Sequence, residues 1–192
     1  MLKKYTFLTL SLLLLAVAST ARADYEDGLD AALGGDYRTA LREFTVAAEG
    51  GLDLAQFNLA ILYFTGRGVD RDLTQAFHWT EMAAQQGHVE AQANLGSLYL
   101  TGDGVTRDVD AGVRWLGSAA KAGHAPAAFS LADMYLNGDS VPRDLVEAHA
   151  WASQAVYNEA EDAEDLQSRI ERRLDADQLT QARRLFARWQ IE

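Results

Sequence analysis

The chain contains no cysteine, and beyond residue 23 it has one lysine, Lys121. The missing thiols exclude a disulfide scaffold and any Cys-ligated metal cluster, so stability has to come from packed apolar surface. Basic residues are scarce: Lys+Arg number 17 against 28 Asp+Glu, for a formal net charge of −11. An acidic surface repels phosphate backbones and anionic lipid, which argues against nucleic acid as a partner. After residue 23 no apolar run approaches the roughly 20 residues that a membrane span needs, so the processed protein is expected to be soluble. There is no H-E-x-x-H, EF-hand loop or S-D-N, and no cofactor is expected.

What is present begins with a leader. Lys3 and Lys4 precede an apolar run from Phe7 to Ala18, and Ala21-Arg22-Ala23 then offers an A-x-A cleavage site. That order predicts a secretory signal peptide over residues 1–23, cleaved after Ala23. The location expected is the periplasm, with secretion as the alternative. Loss of Lys3, Lys4 and Arg22 makes the remaining chain more acidic still.

The rest is organised by a unit of 36 residues written three times, over 55–90, 91–126 and 127–158. In the central copy Leu95, Leu98 and Tyr99 fall on one helical face. Gly102-Asp103-Gly104 breaks that helix, and Asp108 supplies an N-cap for the next. The second helix carries Val109, Val113, Trp115 and Ala119-Ala120, and Gly123 ends it. Asp72-x-x-Gln75 and Asp144-x-x-Glu147 have capping-box spacing. A single such hairpin cannot bury its apolar face, whereas stacked copies bury each other's.

The recurring A-x-x-x-L-[AG]-x-x-Y, G-x-G-V, capping Asp, A-x-x-W and A-A-x-x-G resemble the Sel1-like repeat, a 36-residue relative of the tetratricopeptide repeat. The resemblance implies an all-α, right-handed α-solenoid of stacked antiparallel helix hairpins. Copy two departs from the pattern where Gly112 replaces the Ala seen at Ala76 and Ala148. Copy three departs where Ser140 replaces the second loop glycine, which predicts an altered turn, and where Val156-Tyr157 follows Ala155.

Residues 24–54 read as a shorter tetratricopeptide-like hairpin around Gly35-Asp36-Tyr37 that caps the stack. Residues 159–192 read as C-terminal capping helices. Their first stretch holds the acidic cluster Glu159, Glu161, Asp162, Glu164 and Asp165, at the start of a helix continuing through Leu166, Ile170 and Leu174. Asp175-x-x-Gln178 opens the last helix as a capping box.

Candidate chemistry is sparse. Ser118-Ala119-Ala120-Lys121 matches the S-x-x-K of serine β-lactamases, and some cysteine-rich Sel1-like proteins are linked to β-lactam hydrolysis. Yet the sole remaining lysine leaves none for a K-T-G element, and the same positions read Met82-Ala83-Ala84-Gln85 one copy earlier. His88 and His124 follow helix-ending glycines one copy apart. Equivalent positions in adjacent units lie about 10 Å apart, too far for one ion to bridge, so both are read as solvated turn residues and no metal site is expected.

The resemblance also implies where a partner binds, because the first helix of each pair lines the concave face in tetratricopeptide-like stacks. By position these residues are Tyr25 and Leu29 in the N-terminal hairpin, and Phe57, Ile61 and Phe64 in copy one. Ala93, Ser97 and Leu100 follow in copy two, then Phe129, Asp133 and Leu136 in copy three. Some of these side chains can equally pack between repeats. If exposed, the apolar path suits a protein or peptide with apolar anchors and basic flanks. The function expected is a non-enzymatic adaptor or scaffold. Alternatives are a cell-envelope factor organising polysaccharide or peptidoglycan machinery and, less favoured, a β-lactam hydrolase.

Overall fold

The computed structural model describes residues 21–191, so all but the last three residues of the expected leader lie outside the described residues. Among the described residues every regular element is an α-helix. The chain divides into two compact units, Met1–His88 and Val89–Glu192, each described by itself below.

The first unit contains α1 (residues 21–33), α2 (Tyr37–Glu49), α3 (Asp53–Thr65) and α4 (Leu73–Gln85). Helix α1 runs without interruption through Ala23 and Asp24, on either side of the expected cleavage point. Phe44 and Leu59 are almost fully buried among Ala40, Ala47 and Ala55. Each large apolar side chain buried this way stabilises the fold by about 1.5–3 kcal/mol. The alanines between them let helix axes approach closely. Two polar side chains lie inside: Thr80 Oγ1 donates to Ala76 O (2.7 Å), and Gln56 Nε2 donates to Ala48 O (3.2 Å) while its Oε1 accepts from Gln86 Nε2 (2.7 Å). Both ends of the buried amide are thus satisfied.

The second unit contains α5 (Val89–Thr101), α6 (Val109–Lys121), α7 (Ala125–Asn137), α8 (Leu145–Tyr157), α9 (Ala163–Glu171) and α10 (Ala176–Trp189). Helices α5 and α6 pair, as do α7 and α8, and both α9 and α10 pack on α8. Leu131, Leu136, Leu166 and Ile170 fill the core among alanines of α6, α7 and α8. Trp189 of α10 lies over Trp151 of α8, with ring centroids 4.0 Å apart. Helix α9 stops at Glu171, so Leu174 lies beyond the helix in which the sequence placed it.

The helix ends explain why the unit has its length. Asp36, Asp72, Asp108 and Asp144, spaced by 36, each accept a backbone N–H from the first turn of the helix that follows. Among the described residues the reciprocal side-chain bond of a capping box is formed by Asp175 and Gln178. At Asp72 and Asp144 only the aspartate half is made. The turn in copy three is not altered as expected. Ser140 takes φ 67° where Gly104 has φ 74°, and Glu159 takes φ 59° where Gly123 has φ 100°. The surrounding helix packing holds two ordinary residues in a left-handed conformation that favours glycine.

Candidate functional site

In the first unit the positions expected to face a partner differ from one another. Tyr25 is buried, its ring 5.7 Å from that of Phe44 and its hydroxyl accepting from Asn58 Nδ2 (3.3 Å). It belongs to the core rather than to an open face. Leu29 is half-buried against the same core. Helix α3 is the open element: Phe57 and Ile61 are half-buried, and Phe64 is 41% exposed. Their i, i+4, i+7 spacing sets them along one side of the helix. Phe57 stacks on His88 with ring centroids 4.5 Å apart. Arg71 donates from Nε to Phe64 O (2.9 Å), and its guanidinium lies 5.4 Å above the Phe64 ring. That arginine closes the C-terminus of α3 and holds the phenylalanine against the turn.

In the second unit Ala93 and Leu136 are buried in the core, so neither is open to a partner. Ser97 is exposed, with its Oγ donating to Ala93 O (3.2 Å). Leu100, Phe129 and Asp133 are half-buried. Among the apolar positions expected to face a partner, Phe64 of α3 is exposed, and Leu29, Phe57, Ile61, Leu100 and Phe129 are half-buried.

The arginines were not singled out by the sequence reading. Arg107 repeats the bond of Arg71, donating from Nε to Leu100 O at 2.8 Å. The available signal was an Arg-Asp pair recurring every 36 residues, at 71–72, 107–108 and 143–144.

The histidines are engaged rather than solvated. His124 caps α7, its Nδ1 accepting from Ala127 N (3.1 Å), and His88 stacks on Phe57 as above. Ser118 is exposed and donates to Arg114 O (3.2 Å), while Lys121 Nζ lies 5.4 Å above the Trp189 ring. Among the described residues no group of three or more His, Cys, Asp or Glu could hold a metal ion.

A second feature went unrecognised. His149 on α8 is buried, and burial pushes its pKa down. It lines a cleft of about 420 Å³ together with groups from α9 and α10. Its Nε2 lies 4.0 Å from Glu171 Oε2, and Glu171 Oε1 accepts from Arg183 Nη2 at 3.0 Å. In the sequence His149 stands between Ala148 and Ala150, positions that read as core. A polar residue at a core position was the signal.

Comparison with known proteins follows this geometry. The model of the Sel1 repeat matches residues 53–88, 89–124 and 125–158, more than half of the chain. Among curated proteins none matches. A solved protective antigen of uropathogenic Escherichia coli, described as displaying an SLR fold, is similar at 30% identity and TM-score 0.76, covering 87% of this chain and 37% of that one. A Sel1 repeat protein from Oxalobacter formigenes is similar at 27% identity and TM-score 0.64, covering 70% of this chain and 55% of its own. The chain thus spans between about a third and about half of the length of these two proteins. Three consecutive matches to one repeat, on an all-helical scaffold of paired hairpins that both solved proteins share, give the conclusion: the chain belongs to the Sel1 repeat family.

Proposed function

We propose that the protein is a non-enzymatic adaptor of the periplasm that holds a protein or peptide partner, with α3 as its principal contact. The observation that carries this reading is the strip of Phe57, Ile61 and Phe64, which the core of the first unit leaves partly open. A partner segment would lay apolar anchors along that strip. The net charge of −11 favours basic flanks on the partner. Membership of a helical repeat family supports an interaction role.

The test is capture from periplasmic extract by the folded protein and by its Phe57→Ala and Phe64→Glu variants. The partner is expected to be captured by the parent and lost from both variants. Unchanged capture by variants that keep the parent's circular dichroism removes α3 from the interaction. Export is tested separately by fractionation and N-terminal sequencing, which are expected to give periplasmic protein beginning at Asp24. Unprocessed protein in the cytoplasm would contradict the assigned location.

A further inference from the structure

The third repeat leaves open a place that the first repeat fills with its own side chain. In copy one the His88 ring stacks on Phe57, with centroids 4.5 Å apart and planes inclined by 28°. Copy three keeps the phenylalanine, as Phe129, but the chain has Ala160 where the histidine would stand. The backbone shows that the two positions are equivalent. His88 N donates to Ala83 O at 3.2 Å, and Ala160 N makes the same bond two repeats later, to Ala155 O at 2.9 Å. With a methyl group in place of an imidazole, a cleft of about 360 Å³ opens between α7 and the turn from α8 to α9. Phe129 and Ala160 line it from half-buried positions, and Pro126, Glu159 and Glu161 from exposed ones. The cleft is therefore reachable from solvent. No lysine or arginine lines it, and among the described residues neither carboxylate is in an ion pair.

We propose that this cleft takes the guanidinium of an arginine carried by a partner segment, stacked on the Phe129 ring and paired with Glu159 and Glu161. The His88 ring over Phe57 shows that a flat, nitrogen-bearing group fits against the phenylalanine at this repeat position. A guanidinium is flat as well, and its charge is attracted to an aromatic face. Its N–H groups match the two carboxylates, which a neutral ring would leave to water. A lysine ammonium brings the charge without the planar face. One exposed charged contact gives little affinity by itself, so the arginine has to belong to a longer segment. A second cleft, of about 460 Å³, shares Glu159 and Ala160 with the first and adds Asp162, Glu164 and Asp165. It offers counter-charges to further basic residues of the same segment. The inference rests on the adaptor reading only in that a partner chain is bound, and it uses none of the α3 residues.

The test follows the Phe129 ring and the Ala160 N–H by NMR in the folded protein as short peptides are added. The probe is acetyl-Lys-Ala-Arg-Ala-Lys-amide, and two controls carry citrulline or lysine in place of the arginine. The arginine peptide is expected to shift both resonances saturably. Citrulline keeps the planar shape and loses the charge, and its peptide is expected to bind about tenfold more weakly. The lysine peptide is expected to bind more weakly than the arginine peptide as well. Ala160→His is expected to lay the protein's own ring over Phe129, as His88 lies over Phe57, and to abolish binding with the fold kept. Glu161→Gln, at an exposed position, is expected to weaken binding by about tenfold and decides the matter if Ala160→His does not fold. Phe64→Glu is expected to leave the peptide affinity unchanged, so failure of the α3 contact and failure of this cleft are told apart. The proposal is overturned if the arginine peptide moves neither resonance or if either control binds as tightly. It is overturned too if the folded cleft variants bind undiminished, if Phe64→Glu removes binding, or if free L-arginine binds as tightly as the peptide.

Discussion

Glu159 occupies the backbone position that Gly123 holds one repeat earlier. The N–H of the residue after each bonds the carbonyl five residues back: His124 N to Ala119 O at 2.9 Å and Ala160 N to Ala155 O at 2.9 Å. The helix ending is conserved in geometry although the glycine is gone. Left-handed φ costs a residue with a Cβ about 1–2 kcal/mol, part of which is offset because glycine loses more backbone entropy on folding.

Glu159→Gly is therefore expected to stabilise the protein by about 1 kcal/mol and raise Tm by about 2–4 °C. Thermal unfolding followed by circular dichroism measures this, and a lowered Tm would contradict the account. Ser140→Gly is expected to gain less, because Ser140 Oγ accepts from Arg107 Nη2 at 3.3 Å.

The central copy carries glycine at two facing positions where the flanking copies carry alanine: Gly96 and Gly112 against Ala60 and Ala76, or Ala132 and Ala148. A Cβ on Gly96 would stand 2.9 Å from Gly112 O and 2.8 Å from Leu116 Cγ, and one on Gly112 would stand 3.0 Å from Gly96 O. Helices α5 and α6 cross in direct backbone contact. Gly96→Ala and Gly112→Ala are each expected to destabilise by about 1–3 kcal/mol through overpacking, despite alanine's better helix propensity. Urea unfolding checks the sign, which propensity alone would reverse.

The aspartate caps give a prediction that repeats along the chain. Asp72→Ala and Asp144→Ala each remove an acceptor for two backbone N–H groups. Each is expected to cost about 1 kcal/mol, and Asp→Asn at either site much less. Equal losses for Ala and Asn would point to charge rather than the cap.

His149 makes stability depend on pH. Burial lowers its pKa from the ordinary 6.5, the Glu171 carboxylate opposes that shift and the Arg183 guanidinium adds to it. As pH falls through 6.5 the unfolded chain takes up the proton first, so stability is intact above that value and declines below it. Unfolding free energies at about pH 7.5 and about pH 5.5 are expected to differ more for the parent than for His149→Gln. An equal difference in both would remove His149 as the source.

Much of the fold is legible in the residues because its signals are local. A capping aspartate, a helix-ending glycine and an alanine facing a neighbour each act within a turn or two of chain, and their recurrence every 36 residues carries the hairpin order. The error over copy three has the same root. Serine was read by its intrinsic preference, and Glu159 only as part of an acidic cluster, whereas both Ser140 and Glu159 take the glycine conformation.

The candidate site was less legible because accessibility is not a property of the repeat. Phe64, Leu100 and Leu136 stand at one repeat position, yet Phe64 is 41% exposed and Leu136 is 2% exposed. Trp79, Trp115 and Trp151 are likewise equivalent by position, and in the second unit Trp189 lies over Trp151. The sequence by itself determined the helices, their caps and the family, since those depend on short-range hydrogen bonding and on side-chain size. Tertiary structure alone decided which apolar side chains stay open on α3 and brought His149, Glu171 and Arg183 together. Both outcomes depend on which surface packs next to a helix, and residues far apart along the chain supply that surface.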